Sequence, residues 1–85
     1  MIGHMEYIRR TYRVPAKRGR RVRVWYIYRR QWRLALDGAI TSAMRGGPYL
    51  FIDGAGPYHP THGIEYLRDD GSTLLDTRTP QETPR

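Results

Sequence analysis

The chain contains no cysteine. That removes any disulfide framework or thiolate metal site and fits a reducing compartment. No apolar run approaches the roughly 18 residues that a bilayer span requires. The start, Met1-Ile2-Gly3-His4-Met5, lacks the apolar centre of a signal peptide and is given no structural weight. The expectation is a soluble cytoplasmic protein. Neither Gly-x-Gly-x-x-Gly nor Gly-x-x-x-x-Gly-Lys-Ser/Thr occurs, so no phosphate-cradling loop is in view. Asp37 and Asp53 each precede a glycine and read as turn residues, not as paired carboxylates. Thr41 and Ser42 have no evident base and orienting acid. These absences point away from an enzyme and call for no cofactor.

What is present is positive charge, unevenly placed. The 85 residues carry a net charge of +7, and that length allows one domain. Residues 1–35 hold eleven basic side chains against the single acid Glu6, a net of +10. They are Arg9, Arg10, Arg13, Lys17, Arg18, Arg20, Arg21, Arg23, Arg29, Arg30 and Arg33. Residues 36–85 hold four arginines against seven acids, a net of −3. Such asymmetry predicts a polyanionic partner for the first part. Ten of the eleven cations are arginine, whose planar fork suits phosphate and carboxylate.

The pattern is mainly β. Glu6 to Arg13 reads as a basic lead-in, followed by a turn around Pro15 and Gly19. Arg21-Val22-Arg23-Val24 alternates with period two, and Trp25-Tyr26-Ile27-Tyr28 continues with strong β formers. A helix over residues 25–36 is the rival, because Trp25, Tyr28, Trp32, Leu36 and Ala39 lie near helical spacing. Asp37-Gly38 predicts a turn. Ala39 to Met44, Tyr49 to Ile52 and Ile64 to Leu67 read as further strands. Asp53-Gly54 and Ala55-Gly56-Pro57 read as tight connections. The segment 68–85 is polar and reads as a disordered tail, with at most weak docking of Leu74 and Leu75.

Four to five short antiparallel strands on so short a chain favour curling into a small SH3-like barrel with flexible termini. The division expected is a basic arm over 1–11, a barrel over 12–67 and a tail over 68–85.

Val14 to Val22, Gly38 to Ala43, Pro48-Tyr49-Leu50, Asp53-Gly54, Tyr58-His59-Pro60-Thr61 and Ile64 to Leu67 together resemble a group of small uncharacterised proteins of actinobacteria and their bacteriophages. The resemblance covers residues 12–67 and implies an SH3-like barrel. If the gene belongs to a phage, it also implies residence in the host cytoplasm. The segment from Trp25 to Leu36 is longer and more aromatic than that pattern.

The functional reading rests on the basic, aromatic-interleaved region. The eleven cations named above neutralise phosphates, and Tyr12, Tyr26 and Tyr28, with Trp25 and Trp32, can stack on unpaired bases. The partner expected is DNA or RNA. The alternative is a protein-interaction module, such as a phage or prophage factor engaging an acidic host protein, since arginine and aromatics also anchor protein interfaces. A dimer pairing through an exposed strand is a third possibility. Membrane-surface binding requires the helical reading of residues 25–36. His59-Pro60-Thr61-His62 offers two histidines without a third ligand, so a structural turn is expected there in place of a metal site.

Overall fold

The computed structural model describes residues 3–78. The chain forms one short helix and six strands: α1 (His4–Tyr12), β1 (Arg21–Tyr28), β2 (Gln31–Ala43), β3 (Leu50–Ile52), β4 (Ala55–Tyr58), β5 (Ile64–Leu67) and β6 (Thr73–Asp76). All pairings are antiparallel, in the order β4-β3-β2-β1-β5-β6. The sheet is open, with β4 and β6 as its edges, and so replaces the expected closed barrel of four to five strands. No helix among the described residues is long and apolar enough to cross a membrane.

Closure is unnecessary because α1 covers the core. Met5, Ile8 and Tyr12 recur at helical spacing; Ile8 is wholly buried, and the other two pack beside it. Val14 and Ala16 follow into the same core, against Val22, Val24, Ile40, Leu50, Ile52, Ile64 and Tyr66. The stretch read as a basic lead-in is therefore a structural element. Arg13 ends the helix in the left-handed conformation, φ 55°.

The segment after Leu67 also departs from expectation. Residues 68–72 turn the chain, and β6 pairs with β5, placing Leu75 against the core. Residues 79–85, the remainder of the expected tail, lie outside the described residues.

Residues 25–36 are strand rather than helix. β1 and β2 form a long hairpin from Arg21↔Ala39 to Tyr28↔Gln31. The turn expected at Asp37-Gly38 is instead the middle of β2. Gly38 lies opposite Val22, and a Cβ there would strike the Asp53 carboxylate. Asp53 needs that space, since its Oδ1 accepts the Ala39 amide at 3.1 Å. Ala55-Gly56-Pro57, expected as a connection, belongs to edge strand β4, where a proline removes no ladder hydrogen bond from a neighbour.

Candidate nucleic-acid interface

The β1–β2 hairpin is longer than the sheet that flanks it. β5 pairs with β1 only over Val22–Val24, and β3 pairs with β2 only from Ile40 to Ala43. Between these limits, residues 25–34 have no strand partner but each other and form a two-stranded ribbon, tied at its base by the Trp25 amide, which donates to the Gly63 carbonyl at 2.7 Å. A bulge between Val24 and Trp25 marks where the ribbon leaves the core. The burial pattern changes at the same place. Val22 and Val24 are buried, whereas Tyr26, Ile27 and Tyr28 are 47%, 60% and 49% exposed.

The tip is a two-residue turn, Arg29-Arg30, with φ of 53° and 66°. Positive φ at both central residues is the type I′ requirement, ordinarily met by Asn-Gly, because its twist matches the strands. Two arginines there cost backbone energy, and both are exposed. They do place two guanidinium groups at the extremity of the molecule. Arg33 joins them across the turn. The Arg29 and Arg33 guanidinium carbons lie 5.2 and 5.7 Å from the Tyr28 ring centroid. Among the described residues, none of these three arginines is within ion-pair distance of a carboxylate.

The other predicted cations divide by what they touch. Arg21 and Arg23 reach Asp37 at 3.2 and 3.4 Å, and Arg23 also reaches the buried Glu65 at 3.5 Å. Arg9 donates to the Ala16 carbonyl at 2.8 Å, and Arg20 to those of Pro15 and Leu67 at 3.0 and 3.1 Å. These two hold the α1–β1 connection in place. Arg10 forms an exposed i,i+4 pair with Glu6 at 3.5 Å. Arg13, Lys17 and Arg18 are exposed and unpaired among the described residues; Arg13 caps α1, and Lys17 and Arg18 lie in the turn that enters β1, at the opposite end of the hairpin from its tip. Gly19, next to Arg18, bonds through its amide to the Ile40 carbonyl, and an eight-residue strand separates that point from the tip, roughly 25 Å. The eleven cations therefore do not make one continuous patch. Three lie on the ribbon, five are engaged by carboxylates or backbone carbonyls, and three are exposed between α1 and β1.

Among the aromatics, Tyr26 and Tyr28 are on the ribbon. Tyr12 is not; it packs edge-on to His59 with centroids 5.2 Å apart. His59 also stacks on His62 at 4.2 Å, and its Nδ1 accepts the Thr61 amide at 3.2 Å. Burial, then the neighbouring His62, holds the His59 pKa below its ordinary value. The segment is thus a packed turn that leads into β5, and no group of three or more metal-capable side chains occurs among the described residues.

Sequence reasoning missed Gln31, Ile27 and Leu34 as ribbon surface. The available signal was the loss of polar alternation after Val24, where four large β formers run without a charge between them. Trp25 is partly buried: its Nε1 donates to Glu65 at 3.1 Å, and Arg78 lies 4.2 Å from its ring centroid. Comparison of the chain with protein-family models, with curated proteins and with solved structures returns no match.

Proposed function

We propose that this chain is a non-enzymatic nucleic-acid-binding module whose contact element is the protruding β1–β2 ribbon. The observation that supports this reading is the tip: Arg29, Arg30 and Arg33, without a carboxylate partner among the described residues, on an exposed aromatic ribbon, two of them at positive φ. A two-stranded ribbon is narrow enough to enter a nucleic-acid groove. Arginines at its end neutralise phosphates and release counterions, an affinity that requires no base sequence. Arg13, Lys17 and Arg18 offer a second, basal contact to a long polyanion.

Titration of the full chain with labelled DNA and RNA at two salt concentrations tests this. Binding should weaken steeply with salt. Arg29→Ala/Arg30→Ala/Arg33→Ala should flatten the log–log slope by roughly 2 on single strands and about 2.7 on duplex DNA. Absence of binding at low salt would refute the reading.

A second reading has its own support. Ile27 and Leu34 are exposed apolar side chains, a feature of protein interfaces. An acidic protein partner would meet the arginines and this surface together. Capture of such a partner that survives nuclease treatment, and is lost with Ile27→Ser/Leu34→Ser, would favour it.

A further inference from the structure

The two faces of the ribbon differ in chemistry. Directly paired residues of an antiparallel ladder project to the same side, and successive pairs alternate. The pairs Trp25↔Leu34 and Ile27↔Trp32 make one face apolar. The pairs Tyr26↔Arg33 and Tyr28↔Gln31 make the other aromatic and cationic. On that second face both tyrosines are about half exposed, and two guanidinium groups flank the Tyr28 ring.

We propose that the Tyr26–Tyr28–Arg33 face takes unpaired, single-stranded nucleic acid in preference to a duplex, an inference that rests on the nucleic-acid reading above. Tyr26 and Tyr28 are two residues apart on one strand, a separation of roughly 7 Å. Bases in a duplex strand repeat about every 3.4 Å and cover each other's faces. A ring can stack on them only if the duplex is opened, and each opened step has an energetic cost. A single strand stretched to about twice the duplex repeat sets successive bases at the spacing of the two rings. Arg29, Arg30 and Arg33 then lie beside the backbone of the same strand, and a guanidinium next to a stacked ring adds cation–π attraction. Charge complementarity and ring spacing therefore select the same occupant.

The test uses the full chain and three fluorescent probes of equal length: oligothymidylate, oligouridylate and a mixed-sequence DNA duplex. Unlabelled polyglutamate serves as a competitor. At moderate salt, at least one single strand should bind about tenfold or more tightly than the duplex. Tyr26→Ala and Tyr28→Ala should each weaken single-strand binding roughly 5- to 150-fold. Tyr28→Phe should retain it, and duplex binding should change little. Both tyrosines are exposed, so the variants should keep the wild-type circular dichroism. Duplex binding equal to or tighter than single-strand binding would overturn this inference while leaving the nucleic-acid reading intact. So would single-strand affinity that is lost in the arginine variant but unchanged in both alanine variants. Failure of every nucleic-acid probe at low salt, or displacement by polyglutamate as effective as by unlabelled strand, would overturn both.

Discussion

Replacing the tip dipeptide by Arg29→Asn/Arg30→Gly should stabilise the fold and weaken the function, two effects of opposite sign from one change. Arg29 and Arg30 sit at φ 53° and 66°. A side chain in the left-handed region costs roughly 1–2 kcal/mol, and asparagine and glycine relieve much of that. Glycine returns roughly 0.5–1 kcal/mol through the greater freedom of the unfolded chain. The net gain is about 1–2 kcal/mol. In a domain of this size each kcal/mol raises the thermal midpoint by about 4–8 °C. Native-state hydrogen exchange should locate the gain: amides of residues 25–34 should slow roughly 5- to 30-fold. The same variant lacks two cations, so the log–log salt slope on a single strand should fall by about 1.4. A midpoint that falls or stays put would refute the strain argument. An unchanged slope would refute the role given to the tip.

Three further outcomes follow from the packing. Glu65 is buried and accepts from Trp25 Nε1 at 3.1 Å and from Thr73 Oγ1 at 2.5 Å, beside Arg23. Glu65→Ala leaves the Trp25 and Thr73 donors without a partner and Arg23 with Asp37 alone, and should cost about 3 kcal/mol in urea denaturation. Gly63, at φ 73°, lies where a Cβ would collide with the Trp25 carbonyl, so Gly63→Ala should cost about 3 kcal/mol on the same assay. Tyr66 is buried, its hydroxyl donates to the Pro60 carbonyl at 2.6 Å, and burial pushes its pKa above the ordinary tyrosine value. The unfolded chain releases this proton near pH 10 while the native state keeps it. Stability is therefore fully present below about pH 10 and should fall above it, by about 1.4 kcal/mol per pH unit from this group. Tyr66→Phe should lose about 1–2 kcal/mol at neutral pH and show a shallower alkaline decline in denaturant midpoints.

Single-residue effects also separate the structural arginines from those of the proposed interface. Arg9→Ala or Arg20→Ala removes hydrogen bonds to backbone carbonyls. Each should lower stability by about 1 kcal/mol in chemical denaturation and leave nucleic-acid affinity little changed. The tip variants should do the reverse.

The residues themselves determined the β class, the concentration of charge in the first 35 positions and the hairpin core of β1. Those properties rest on alternation and residue type, which act locally: Val22 and Val24 mark a buried face whatever surrounds them. The same holds for His59 and Thr61, whose short-range hydrogen bond makes a turn. Tertiary structure decided the rest. Asp37-Gly38 has the composition of a turn, but Asp53 needs the room that Gly38 leaves, so the chain stays extended there. The Met5-Ile8-Tyr12 stripe is too short to declare a helix alone and is held by the core it covers, which in turn lets the sheet remain open. The charge of each arginine was legible in the chain, but its availability was not. Carboxylates and carbonyls distant in sequence occupy Arg20, Arg21 and Arg23. Arg29, Arg30 and Arg33 lie beyond the reach of any neighbouring strand, because β5 and β3 stop short of the ribbon, and that geometry leaves them open to the contact proposed above.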